Sequence, residues 1–396
     1  MAIYHLHAKI VSRTTGRSAV AAAAYRSGES LHDHRTAQTF DYTHKSGVEH
    51  TEILTPPQAP SWTHDRETLW NAVEQSERRK DAQLAREIEI GLPVELTKDQ
   101  QVALLRDYAR TTFVTRGMVA DVALHLDNPD NPHAHILLTT RDITPNGFGA
   151  KRRDWNARSE LLEWRIAWAD TANQHLARAG LDIHIDHRTL EAQGIDLLPG
   201  RKIGISAERQ QQPDLLPLGA AERVAEQREI AAENGRRILE DPRVALHALT
   251  HTQATFTKRD IAKYLHGRTD GAEQFQAAYL KVTTSPELVR LGIDDPRRPR
   301  FTTREMLSIE HQHTATPPGP DRPSRASSAM DELDALQQRG AEKWREKQLA
   351  REKQISTQAS PDHDKDLHHD PHHTPNKEIE THPHLEHPGL EDDFQL

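Results

Sequence analysis

Four stretches in the first half of the chain read as strands, the first three by alternating apolar and polar residues with period two and the last as a compact run suited to a central strand. They are AIYHLHAKIV (2–11), AREIEIGLPV (85–94), MVADVALHLD (118–127) and the compact, β-branched HAHILLTTR (133–141). Helical patterns lie between them. Ser18 is a good N-cap for a helix to about Ser27, and Thr97 with Gln100 predicts a capping box. The segment SELLEWRIAWADTANQHLARAG (159–180) is amphipathic and stops at Gly180. LDNPDNPH (126–133) predicts a tight turn joining two of the strands. The mixture predicts an α+β fold, with helices packed on an antiparallel sheet.

Beyond this region the pattern changes. Residues 206–312 read as a small helical, winged-helix-like module, with RFTTREML (300–307) as a short strand followed by a helix start. A Pro-rich linker (313–328), a solvated helix (329–355) and a His- and Asp-rich tail (356–396) expected to be disordered follow. The expected division is thus 1–205, 206–312, 313–328, 329–355 and 356–396.

Composition narrows the class. Hydrophobic residues are 35% and charged residues 28% of the 396, which fits a globular part diluted by polar sequence. No apolar run reaches the roughly 18 residues of a membrane span, and the start lacks the basic and apolar regions of a signal peptide. With no cysteine, disulfides and thiolate metal sites are excluded, and the expectation is a cytoplasmic protein without membrane insertion. The net charge of −9 speaks against a nucleic-acid partner only superficially, because the tail from Ser356 carries −8 of it. Local basic clusters must carry any such argument.

The 26 histidines form five His-x-His pairs, against roughly two expected by chance at that frequency. One pair has a distinctive setting. His133 and His135 open an apolar run, so they share one face of a strand, and His125 ends another strand one turn earlier. The hairpin would gather three imidazoles, a set that suits a divalent metal at about 2.0–2.2 Å per nitrogen. Glu87 and Glu89 share a strand face opposite Ile88 and Ile90. They read either as the solvent face of an edge strand or as a carboxylate that orients a ligating imidazole. Asp121, on the face of His125, reads as a second candidate for that part.

Four motifs in order, AIYHLHAKIVSR…GRSAVAAAAYRSGESL, QLAREIEIGLPVELTKDQQ, VADVALHLDNPDNPHAHILLTTR and WRIAWADTANQHLARAGLDIHIDHRTLEAQGID, resemble the N-terminal domain of the MobA/MobL relaxases of mobilisable plasmids. The resemblance covers about residues 1–205 and implies the His-hydrophobic-His endonuclease fold, a five-stranded antiparallel sheet with flanking helices. It implies that Tyr25 is the nucleophile that attacks a phosphate at the transfer origin. It further implies that His125, His133 and His135 ligate a metal, Mg or Mn, and that Glu87 supports the site, with Glu89 less secure. Residues 236–310 resemble the segment that precedes the helicase in TraA-type relaxases, yet no G-x-x-x-x-G-K-[ST] phosphate loop is present. No helicase activity is expected.

A tyrosine hydroxyl with a reference pKa near 10 needs help to attack at neutral pH, and a cation on the phosphate supplies it. Small side chains at Ala21 and Ala22 would keep the helix of Tyr25 low against the metal strands. Arg26 reads as a phosphate contact beside the nick, and Lys151, Arg152 and Arg153 as a basic loop beside Trp155. For Trp155, Trp164 and Trp168, packing against the sheet is the favoured reading over base stacking. Expected partners are single-stranded or supercoiled plasmid DNA, accessory mobilisation proteins and a coupling protein. Two other readings stay open: a rolling-circle replication initiator of the same fold class, and a non-catalytic DNA-binding accessory protein.

Overall fold

The computed structural model describes residues 4–200, 220–292 and 299–315. In chain order the strands of the first half are β1 (Leu6–Ser12), β2 (Ser30–Asp33), β3 (Gln38–Asp41), β4 (Val48–Leu54), β5 (Gln83–Gly91), β6 (Ala120–His125), β7 (His133–Thr139), β8 (Arg141–Thr144) and β9 (Gly147–Lys151). The helices are α1 (Ala19–Ser27), α2 (Arg66–Ser76), α3 (Lys98–Thr112) and α4 (Arg158–Arg178). A five-stranded sheet in the order β1-β5-β7-β6-β4 forms the centre, and every neighbouring pair is antiparallel. The fold is thus α+β, and four of the five strands are the strand-like stretches of the sequence. The fifth, β4, has the sequence VEHTEIL at the sheet edge, with neither face fully buried along most of its length. An edge strand of that kind carries no apolar alternation to find.

The two faces of the sheet have different duties. One face presents Ile88, Ile90, Val122, Leu124, Ile136 and Leu138 to α3 and α4, where Tyr108, Phe113, Trp164 and Trp168 complete the core. Both tryptophans of α4 are 2% exposed or less, so they pack against the sheet. The opposite face is divided. Towards one end Val11, Ala85, Val119 and Leu137 pack with Leu69 and Trp70 under α1 and α2. Towards the other end the same face carries Lys9, Glu87, Glu89, His125, His133 and His135, by the two-residue alternation of each strand.

Helix α1 starts where Ser18 accepts from Ala21 N at 3.3 Å and ends at Gly28, which takes a left-handed φ of +69°. Its close approach to the sheet is made by Ala19, Val20, Ala23 and Ala24, all buried. Ala21 and Ala22, expected to provide that low face, are half-exposed, because 3.6 residues per turn place them beside the buried stripe. Helix α3 has the capping box of Thr97 and Gln100, and α4 is followed by Gly180 at φ +71°.

Another core among the described residues gathers Ile195 and Leu197 with Leu246, Leu249, Phe256, Ile261, Leu265 and Phe301. Its elements are α5 (Ala220–Glu240), α6 (Arg243–Thr252), α7 (Lys258–His266), α8 (Gly271–Thr283), the antiparallel pair β10 (Leu288–Arg290) and β11 (Phe301–Thr303), and α9 (Arg304–Ala315). Helix α9 continues three residues into the segment expected as a linker from 313. The rest of that linker, the helix expected over 329–355 and the tail from 356 lie outside the described residues. No helix among the described residues is long and apolar enough to cross a membrane.

Candidate functional site

Strands β6 and β7 pair so that His125 stands directly opposite His133, with His135 next on the same face. The three imidazole centroids are 4.9–5.3 Å apart, and one nitrogen from each ring lies within 4.8 Å of the others. The second nitrogen of each ring has a partner. His135 Nδ1 is 2.8 Å from Glu87 Oε1, His125 Nε2 is 2.7 Å from the Arg26 carbonyl, and His133 Nδ1 is 3.1 Å from the Asn131 carbonyl. All three partners are acceptors, so each of these nitrogens donates, and the remaining nitrogen of each neutral ring keeps its lone pair. That donor set fits a divalent ion: one nitrogen of each ring gathers in one place, and each ring is oriented by a hydrogen bond of its own.

Burial strengthens the arrangement. It lowers the pKa of His125 to about 4, and it lowers that of His135 despite the hydrogen bond and charge of Glu87. Both rings are therefore neutral near pH 7. Glu87 itself is fully buried, with Arg26 Nε 2.8 Å from Oε1, the Arg26 terminal nitrogen on Oε2 and Lys9 Nζ 3.2 Å away. Burial alone would raise its pKa. The His135 hydrogen bond, the Arg26 guanidinium and the Lys9 charge outweigh it and bring the carboxyl down to about 2.

Of the two carboxylates on β5, Glu87 is the one whose oxygen meets His135, while Glu89 lies 3.5 Å from His5 Nε2. Asp121 is placed elsewhere. Its carboxylate accepts from Arg66 Nε at 2.8 Å, the Arg66 terminal nitrogen at 2.8 Å and Trp70 Nε1 at 2.8 Å, all from α2. Four residues along a strand put it roughly 13 Å from His125, so sharing a face does not bring it to the imidazoles. Its place as their partner, expected from the sequence, is corrected to an anchor for α2.

Tyr25 occupies the last turn of α1, 48% exposed, and the carbonyl of its neighbour Arg26 is the group that His125 touches. The Tyr42 ring meets Tyr25 edge to face at 5.2 Å, and Lys45 Nζ lies 3.8 Å over the Tyr25 ring while donating to the Tyr25 carbonyl at 2.8 Å. Arg26, expected as an outward phosphate contact, directs its guanidinium inward to Glu87 and to the Ala22 carbonyl. In the basic loop, Lys151 binds Glu77 at 3.0 Å and Arg152 binds Asp154 at 2.8 Å, whereas Arg153 is exposed. Trp155 is 1% exposed with Arg152 over its ring, so that ring belongs to the core.

Tyr42 and Lys45 were invisible in the sequence, where DYTHKSG has no periodicity. The one local signal is Gly47. It holds φ +83°, and a Cβ there would come 2.6 Å from Asp127 Cβ, while its carbonyl accepts from Leu126 N at 2.8 Å. This contact closes the loop of Tyr42 and Lys45 onto the strand end that bears His125.

The MobA/MobL family model matches residues 17–212. The conjugal transfer protein TraA of Agrobacterium fabrum (strain C58 / ATCC 33970) is 37% identical over 352 residues, covering 78% of this chain and 32% of TraA. The mobilization protein MobL of Acidithiobacillus ferridurans is 41% identical over 241 residues, covering 52% of this chain and 63% of MobL. A solved structure described as "Molecular Basis of Vancomycin Resistance Transfer in Staphylococcus aureus" is 37% identical over 48% of this chain and 100% of its own, with a TM-score of 0.46. The N-terminal region of the chain thus belongs to the MobA/MobL family. The chain spans about a third of the length of TraA.

Proposed function

We propose that this chain is a metal-dependent relaxase, which nicks one strand of plasmid DNA at a transfer origin for mobilisation. The observation that carries the reading is the join between α1 and the histidines: the residue after Tyr25 holds His125 in place through its backbone carbonyl. The tyrosine that would react and the rings that would hold an ion are thus positioned by one another. Support also comes from the relatives, whose names are those of conjugal transfer and mobilisation proteins.

His125, His133 and His135 would hold the ion, and three imidazoles without a carboxylate favour Mn over Mg. Bound there, it would polarise a non-bridging oxygen of the scissile phosphate and offset the charge that develops on it. Glu87 accepts from His135 Nδ1, which would leave that ring's other nitrogen to the ion, and it balances Arg26 and Lys9. The Tyr25 hydroxyl oxygen would form a bond to phosphorus as its proton passes to solvent, while the P–O3′ bond breaks and the departing 3′ oxygen takes up a proton from solvent. The product is a 5′-phosphotyrosyl strand and a free 3′-hydroxyl. Because a phosphodiester replaces a phosphodiester, the strand is rejoined without a nucleoside triphosphate. We further read the chain as a relaxase domain over residues 1–205 and a helical module over 206–312. Accessory mobilisation proteins and a coupling protein are its proposed partners, and the cytoplasm its proposed site of action.

The test uses a supercoiled plasmid that carries the DNA flanking the protein's own gene, incubated with Mn²⁺. A nicked circle with protein covalently attached to the 5′ end is expected. Tyr25→Phe should abolish the adduct and leave DNA binding intact, and an adduct that persists removes Tyr25 from its role. His133→Ala with His135→Ala should end metal-dependent cleavage.

A further inference from the structure

The loop between β3 and β4 folds over the last turn of α1 and is tied down along its length. The Tyr42 amide donates to the Glu29 carbonyl at 3.2 Å, the Lys45 amide donates to the Tyr42 carbonyl at 2.9 Å, and the Gly47 carbonyl accepts from Leu126 N at 2.8 Å. Asp41 closes the turn, because its Oδ1 accepts from the Thr43 amide at 3.0 Å and from the Thr43 hydroxyl at 2.7 Å. A Cβ at Gly28, the residue that ends α1, would lie 3.2 Å from Val48 Cγ2, so the helix end abuts this loop.

The last carbonyls of a helix have no partner within it. In α1 the Ala24 carbonyl takes the amides of Gly28 and Glu29 at 2.9 and 3.2 Å. The next two carbonyls are taken by side chains from elsewhere: that of Tyr25 by Lys45 Nζ at 2.8 Å, and that of Arg26 by His125 Nε2 at 2.7 Å. The Lys45 charge also stands at the negative end of the helix dipole. The same ammonium lies 3.8 Å from the centroid of the Tyr25 ring, on one face, and the Tyr42 ring meets that ring at 5.2 Å with 87° between the planes. Backbone and ring of Tyr25 are therefore both held by one loop, while the side chain stays 48% exposed.

We propose that Lys45 and Tyr42 are positioning residues for the nucleophile, and that their loop locks the Tyr25 ring in one orientation before DNA arrives. What Tyr25 attacks rests on the relaxase reading. A helical tyrosine that faces water has two χ1 wells open to it, near 180° and near −60°, and a change of well swings the hydroxyl by several ångströms. Attack requires the oxygen at about 3–3.5 Å from phosphorus, and a misplacement of about 1 Å costs roughly a hundredfold in rate. Lys45 bonds to the backbone of the residue whose ring it covers, so the ring is held relative to its own helix. Its ammonium is half-buried and engaged from two sides, so it acts through Tyr25 and not as a contact to DNA.

The experiment reads ring order and reaction rate separately, with the full chain. Labelling with 3-fluorotyrosine gives six fluorine resonances, one for each tyrosine, and the one lost in Tyr25→Phe is that of Tyr25. In EDTA and without DNA, Lys45→Met and Tyr42→Leu should each move the Tyr25 resonance towards that of free 3-fluorotyrosine. The resonances of Tyr108 and Tyr264, both buried, should stay in place and report that the variants are folded. Single-turnover adduct formation on the supercoiled plasmid in Mn²⁺ should fall about 10–100-fold in both variants. Affinity for the same plasmid in EDTA should stay within about twofold for Tyr42→Leu, which removes no charge, and within about threefold for Lys45→Met. Tyr42→Phe keeps the ring edge and should restore most of the rate lost in Tyr42→Leu. Arg110→Met, which removes an exposed cation of α3, should change neither the Tyr25 resonance nor the rate. A Tyr25 resonance that stays in place in either clamp variant overturns the proposal, as does an unchanged rate. A loss of rate matched by an equal loss of affinity overturns it too, since that marks a plain DNA contact. If the wild-type chain forms no adduct, the relaxase reading fails while the fluorine resonance still reports on the clamp.

Discussion

Glu87→Gln is the perturbation that tests the site most directly. The amide keeps the shape and can still accept from His135 Nδ1, but it removes the only negative charge against which Arg26 and Lys9 are both paired at this point of the sheet. The carboxyl falls from an ordinary value of 4.5 to about 2 in the folded protein, which amounts to roughly 3 kcal/mol of stability at neutral pH. Breaking a buried pair by removing one partner gives a similar range, about 3–5 kcal/mol, of which the amide recovers a part. The expected destabilisation is thus about 2–4 kcal/mol at pH 7, read by urea denaturation of the metal-free protein in EDTA. The sign follows from a depressed carboxyl pKa: the stability is present above pH 4.5 and is lost as pH falls towards 2. The gap between wild type and Glu87→Gln should therefore close over that interval. Because Glu87 also orients His135, Mn²⁺ affinity by calorimetry should fall about 10–100-fold. A variant as stable as wild type at pH 7, or one with a pH-independent gap, would refute the assignment of Glu87 as the buried charge of the site.

Other outcomes follow from neighbouring residues. Asp121→Asn breaks the buried pair with Arg66 and should cost about 3–5 kcal/mol in denaturation, yet Mn²⁺ affinity of the folded protein should stay within about twofold, since Asp121 serves α2. Gly47→Ala meets Asp127 at a positive φ and should cost about 1–3 kcal/mol, with weaker Mn²⁺ binding because the loop closes on the strand of His125. Lys45→Met removes the cation over the Tyr25 ring and its bond to the Tyr25 carbonyl, and thermal denaturation should show a loss of about 1 kcal/mol. His125 is buried and neutral with a pKa near 4, so the unfolded chain takes up its proton first on acidification. The metal-free protein should lose stability as pH falls from about 6.5 to about 4, and His125→Asn should flatten that stretch of the curve.

Four of the five strands of the central sheet, the caps of α1 and α3, the stop of α4 and the three histidines were legible in the residues, because each depends on spacing within one element. A two-residue alternation shows which side chains share a face, and the seven residues between His125 and His133 form a turn that lets them pair. Composition by itself likewise determined that no thiolate takes part. What spacing cannot give is position along a face or partnership between elements. Asp121 and His125 share a face of β6, but the distance along the strand sends one to Arg66 and the other to the imidazoles. Glu87 and Glu89 are equivalent in pattern, and only the register with β7 and the arrival of Arg26 from α1 distinguish them. Tyr42 and Lys45 reached Tyr25 through a hairpin and a loop without periodicity, closed by one glycine. Local spacing determined what each element offers, and long-range packing, with its burial and ion pairing, decided which of those offers meet.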